Sequence, residues 1–165
     1  MSKSTEQLIL ALKKEIEIYK DYLSLVKNKQ EILIEGDIKK LEKVISREQD
    51  IEKNMKKIDQ IRQTIIGNIL FEQKIDWIQN ITDLAQYIEQ PYQTQLLEEK
   101  EKLKNLLVEI KKINEINEKM ILQSLDYVEF NLNILTNTTI EGNIYGNSTE
   151  DQTLNNTSKL FDAKV

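Results

Sequence analysis

Residues 33–41, LIEGDIKKL, decide how this chain folds. Glycine at 36 can take the left-handed conformation that ends a helix, and aspartate at 37 can accept the free amides at the start of the next one. A helical corner is therefore expected at Glu35-Gly36-Asp37. Apolar residues on its N-terminal side, Leu8, Leu12, Ile16, Tyr19, Leu23, Val26 and Leu33, step mostly by three and four, with a gap at Gln30. On its C-terminal side Leu41, Ile45, Ile51, Met55, Ile58, Ile61, Ile65 and Ile69 continue the pattern. Each series makes one stripe on a helix, and two such stripes joined by a tight corner zip together antiparallel.

The composition agrees. The chain of 165 residues has one proline and four glycines, which favours long helices over a turn-rich sheet protein. Alanine occurs only at 11, 85 and 163, while Ile, Asn and Lys abound. Isoleucine thus reflects a compositional bias, and periodicity rather than β-propensity decides the element type. Ser4 and Gln7 have capping-box spacing, which starts the first helix at about residue 5. Helices are expected over 5–34, 38–70, 75–88 and 91–136, with Gly67 weakening the end of the second and Pro91 in the first turn of the last. Trp77, Ile81, Leu84 and Ile88 share a face of the third, so Trp77 is expected in the core. The fold class is all-α: an elongated antiparallel helical bundle or coiled coil of three long helices plus one short helix. Residues 1–136 form the helical domain. Residues 137–165, rich in Asn, Thr, Ser and Gly, are expected to be a flexible polar tail.

Several function classes are disfavoured. Without cysteine or histidine the chain lacks disulfides, thiol chemistry and the commonest zinc and heme ligands, and Glu-x-x-His di-iron pairs are ruled out. Glu98, Glu99 and Glu101 are interleaved with Lys100 and Lys102 and read as a solvated face. No nucleophile with a base and no phosphate loop occurs, so neither an enzyme nor a cofactor or metal is expected. The net charge is −5 with lysines and glutamates mixed throughout, giving no footprint for nucleic acid or anionic lipid. MSKSTEQLIL lacks the features of a signal peptide, and residues 120–135 are too short and too polar to span a bilayer. A cytoplasmic location is expected.

Residues 120–139, MILQSLDYVEFNLNILTNTT, carry more apolar side chains than one buried stripe needs. The first half of the last helix keeps a single seam, Leu96, Leu103, Leu106, Leu107, Ile110 and Ile113. In the second half Ile113, Ile116, Met120, Tyr127 and Ile134 fall on one side, and Ile121, Leu125, Val128, Leu132 and Leu135 about a third of a turn away. Asn117, Ser124 and Asn131, seven apart, lie between them. Two arrangements account for this. The helix could be central in a bundle with both flanks buried, or one stripe could close the bundle while the other takes a partner helix, the polar row fixing register. A structural or tethering coiled coil that self-associates through the same surface is the alternative function, and the oligomeric state is open, a dimer being one outcome.

The residues Asn114, Asn117, Met120, Leu122, Ser124-Leu125, Tyr127, Phe130, Asn131-Leu132-Asn133 and Leu135, followed by Tyr145-Gly146, resemble the C-terminal signature of the FlgN family of flagellar export chaperones. The Ile34-Glu35-Gly36-Asp37-Ile38 corner is similar to the family too. The resemblance implies a small cytoplasmic protein that holds hook-associated subunits, FlgK- and FlgL-like clients of the hook-filament junction. It would bind their C-terminal amphipathic helices, prevent premature assembly and deliver them to the type III export gate. Carried over residue by residue, Asn117, Met120, Ile121, Ser124, Leu125, Tyr127, Val128, Asn131, Leu132 and Leu135 would bind the client. Tyr145 would dock an FlhA-like gate protein. Many members have another glycine soon after Tyr-Gly, whereas Asn147-Ser148-Thr149 follows here.

Overall fold

The computed structural model describes the backbone of residues 3–144 and the side chains of residues 3–136. It is all-α, with no strand among the described residues. Helix α1 spans Lys3–Glu35, α2 Ile38–Gln73, α3 Ile81–Ala85 and α4 Tyr92–Ile144. The chain divides into two compact units, Met1–Ser124 and Leu125–Val165.

The corner between α1 and α2 forms as its residue types dictate. Gly36 has φ +72°, and its N–H donates to the Ile32 carbonyl at 3.0 Å. The Asp37 carboxylate caps α2 by accepting from the Lys40 N–H at 3.0 Å. Three side-chain pairs then tie the helices together, and each in turn retreats in α1 as it advances in α2. Lys29 meets Glu48 at 2.8 Å, Arg62 meets Glu15 at 3.0 Å, and Ser4 donates to Glu72 at 2.5 Å. That order defines an antiparallel pair. Helix α4 follows α1 in the same direction: Tyr92 donates to Glu6, Asn114 to Tyr22, and Asn117 to the Val26 carbonyl.

The main core of the first unit draws on all four helices. Leu8, Leu12 and Ile16 of α1 meet Ile58, Ile65 and Ile69 of α2, Leu84 and Ala85 of α3, and Leu96 and Leu103 of α4. Nearer the corner Leu25, Ile32 and Val44 form a second cluster between α1 and α2.

Between α2 and α4 the chain departs from the helix expected over 75–88. Lys74 adopts the left-handed conformation and closes α2, its N–H directed at the carbonyls of Leu70 and Phe71. Asn80 then caps a new start by accepting from the N–H groups of Thr82 at 2.8 Å and Asp83 at 3.1 Å. Only the five residues of α3 are helical. Trp77 falls in the extended connection and is 73% exposed, so it is not a core residue. Ile75, Ile78 and Ile81 anchor that connection on the core in its place. The helical spacing of Trp77 with Ile81 was without effect because the backbone there is not helical.

Other boundaries also shift. Ser4 lies inside α1 rather than ahead of it, its hydroxyl turned to Glu72. Helix α2 passes through Gly67 to Gln73. The Gln90–Pro91 bond is cis and α4 begins at Tyr92, one residue after the proline. It continues to Ile144, eight residues beyond the expected end at 136. The rest of the expected tail lies outside the described residues.

Glu15 is the most deeply buried acid among the described residues. One guanidinium nitrogen of Arg62 lies 3.0 Å from both of its carboxylate oxygens, and the other reaches Asp59. Burial raises the Glu15 carboxyl above its ordinary range, Arg62 pulling it down and Asp59 pushing it up. The folded chain therefore keeps this proton to higher pH than the unfolded chain. The stability it contributes is present below the ordinary carboxyl value of 4.5 and declines as pH rises through the folded-state value. Urea titrations should accordingly show the parent chain losing stability relative to Glu15→Gln as the pH is raised from 4.5; the opposite trend would mean that Arg62 outweighs burial.

The two glycines offer a second measurement. Space for a Cβ is open at both Gly36 and Gly67, but only Gly36 has positive φ. Gly67→Ala should stabilise the chain by about 0.5–1 kcal/mol, and Gly36→Ala should destabilise it by about 1 kcal/mol. Chemical denaturation of both variants checks the signs.

Candidate functional site

The residues singled out on the last helix fall in both units, and each unit presents its own surface. In the first unit Asn117 is 2% exposed, and its Nδ2 donates to the Val26 carbonyl at 3.0 Å. It belongs to the contact between α1 and α4 rather than to the open surface. Met120 and Ile121 are half-buried. Ser124 is exposed, with its hydroxyl turned back on the Met120 carbonyl at 2.9 Å, a common resting place for serine inside a helix. Next to it Leu122 is exposed.

In the second unit the apolar side chains stand in the open. Leu125 is 60% exposed and Leu135 65%, and Val128 and Leu132 are more than half exposed. At 100° per residue these four lie within about 80° of arc and about 15 Å of helix axis. They form one continuous stripe. Tyr127, Phe130 and Ile134 form a second exposed group on the same helix, and half-buried Asn131 lies between the two in azimuth. Within the second unit both groups are exposed. Charges on this stretch are acidic, Asp126 and Glu129. Tyr145 lies outside the described residues.

Some of the surroundings were not singled out from the sequence. Tyr22 and the Lys29–Glu48 ion pair flank Asn114 and Asn117 in a cleft of the first unit. Tyr22 is three residues from Tyr19, just off the stripe of α1, and no local signal marks it. Among the described residues no group of three Asp, Glu, His or Cys side chains could hold a metal ion, and no helix is long and apolar enough to cross a membrane.

These helices define a protein class: an all-α chain, one helix of which displays a long exposed apolar face. The family model described as FlgN protein matches residues 1–153, and the chain belongs to this family, the flagellar export chaperones. Comparison with curated proteins and with solved structures finds no match.

Exposure separates the apolar residues of α4 into two energetic classes. Leu96→Ala in the core should cost about 2–5 kcal/mol, whereas Leu125→Asp or Val128→Asp should change stability by no more than about 0.5 kcal/mol. Denaturation curves with far-ultraviolet circular dichroism test this, and a large loss at Leu125 would place that residue in a packed core.

Proposed function

We propose that this chain works in the cytoplasm as a chaperone for hook-associated proteins, holding their C-terminal amphipathic helices against α4 until export. The observation that carries this reading is the exposed stripe Leu125, Val128, Leu132 and Leu135. A partner helix with apolar residues at matching steps of three and four would cover it. Tyr127 contributes from the neighbouring exposed group, and Asn131 supplies a polar register mark between the two. Met120, Ile121 and Ser124 present a smaller, more covered surface in the first unit.

The energetics suit a carrier. Four apolar anchors gain about 1.5–3 kcal/mol each on burial, and ordering the client together with association opposes this by several kcal/mol. The net is a few kcal/mol with a ceiling of about −8 kcal/mol, so affinity is micromolar at its tightest. Such a complex forms readily and can still be taken apart. The family membership supports the export role, and the same reading gives Tyr145 the task of docking an FlhA-like gate protein.

The test uses a synthetic C-terminal peptide of a hook-associated protein from the same cell. Mixing with the chain should raise total helicity, and Leu125→Asp or Val128→Asp should lower affinity by about a hundredfold while leaving the chain's own helicity intact. Unchanged binding by both variants would refute the assignment of this face. Sedimentation of the chain alone addresses self-association, because a tight dimer that persists with peptide present would favour a tethering coiled coil.

A further inference from the structure

The cleft in the first unit has a lopsided hydrogen-bonding inventory. It measures about 320 Å³ and is lined by Tyr22 and Lys29 of α1, Glu48 of α2, and Asn114, Asn117 and Glu118 of α4. The Val26 carbonyl can only accept, so the Asn117 amide must face it with Nδ2. That orientation leaves Asn117 Oδ1 buried and without a donor. Asn114 is similarly placed, its Nδ2 donating to Tyr22 Oη at 3.2 Å and its oxygen remaining an acceptor. Lys29, the one cation of the lining, is taken by Glu48 at 2.8 Å, and both side chains are half-buried. Glu118 is exposed and has no ion pair among the described residues. Asn114, Asn117 and Glu118 thus line a cleft that offers no uncommitted cation.

We infer that this cleft seats an arginine side chain of the bound client helix. The complementary group must be rich in donors and positively charged. A guanidinium has five N–H donors in one plane, enough to serve the oxygens of Asn114, Asn117 and Glu118 together, and it is more weakly hydrated than an ammonium group. Ile121 and Leu122, also in the lining, suit the aliphatic stem that carries it. An unsatisfied buried oxygen destabilises the free chain, so a donor that reaches Asn117 relieves a cost as well as adding a bond. The cleft would thereby read one charged position of a client otherwise held by apolar contacts, and specificity of that kind is what a shared hydrophobic stripe lacks.

The inference rests on the proposed function for the identity of the partner, and the experiment separates the two. Full-length chain is titrated with the hook-associated C-terminal peptide and with peptides in which each arginine in turn becomes glutamine or lysine. One Arg→Gln peptide should bind about tenfold more weakly, and Arg→Lys at the same position should recover only part of that loss. Asn117→Leu and Glu118→Gln in the chain should each weaken the parent peptide about three- to tenfold, yet cost nothing further against that Arg→Gln peptide. Glu118 is exposed, so Glu118→Gln keeps the comparison available if Asn117→Leu disturbs the fold. If every Arg→Gln peptide binds like the parent, or if the chain and peptide losses simply add, the cleft assignment is overturned while the client reading stands. If the parent peptide does not bind at all, both are overturned.

Discussion

Everything else in this molecule depends on one narrow apolar seam. Leu8, Leu12, Ile69, Leu84 and Leu96 are completely shielded from solvent, and they come from all four helices. Burying such side chains is worth about 1.5–3 kcal/mol apiece, so this contact decides which face of each helix turns inward. It also decides which faces remain. In the first half of α4 the seam buries Leu96 and Leu103, and Ile110 is buried too, while Leu107 and Val108 stay exposed. Further along the same helix the apolar arc widens while burial falls away. The second unit presents its own exposed apolar stripe at Leu125, Val128, Leu132 and Leu135.

A seam of leucines and isoleucines fixes which helices meet, but it specifies register poorly, since a shift by one heptad places a similar side chain in the same position. Polar pairs supply that information. Ser4 with Glu72, Glu15 with Arg62 and Lys29 with Glu48 sit along the length of the α1–α2 contact, and Asn114 and Asn117 do the same for α4 against α1. A slip of the helices would leave Glu15 buried beside no cation, and an unpaired buried charge is far more costly than an imperfect hydrophobic fit. The half-exposed pair Lys27 and Glu109 adds little, because solvent screens it.

The fold was largely legible because two kinds of signal agreed. Stripes at helical spacing marked three long helices, and Gly36-Asp37 placed the corner where both the φ angle and the cap demand it. Where only one signal existed, it misled. Trp77 shares spacing with Ile81 and Leu84, but Lys74 closes α2 and Asn80 opens α3, so the helix needed to put Trp77 on that face does not form. Ser4 had the right spacing for a cap, and a tertiary partner, Glu72, engaged its hydroxyl instead. Asn117, Ser124 and Asn131 show the general limit: heptad spacing predicted a common azimuth, yet one is buried against Val26, one bonds back to its own helix, and one is half-buried. Sequence periodicity gives direction about a helix axis, and only the fold says what lies in that direction. The exposed stripe was readable as an excess of apolar arc. The cleft beside Asn117 was not, because Tyr22 and Glu48 lie far away in sequence.

An exposed apolar stripe invites self-association, and the charges around it bear on whether that happens. From Leu125 to Thr136 the only ionisable carboxylates are Asp126 and Glu129, both exposed, and no lysine or arginine accompanies them. Two copies meeting through this stretch would bring acid toward acid with no cation on either side to answer it, a repulsion that grows as the interface dries. A partner carrying basic residues beside its apolar positions meets no such penalty. The same preference recurs in the first unit, where Glu118 and the amide oxygens of Asn114 and Asn117 line a cleft whose single lysine is already paired. Under the proposed function, apolar contact would supply the attraction in both places, and the acids would favour a basic amphipathic helix over a second copy of this chain. Discrimination of this kind would cost little affinity, since Asp126 and Glu129 lie beside the stripe rather than within it.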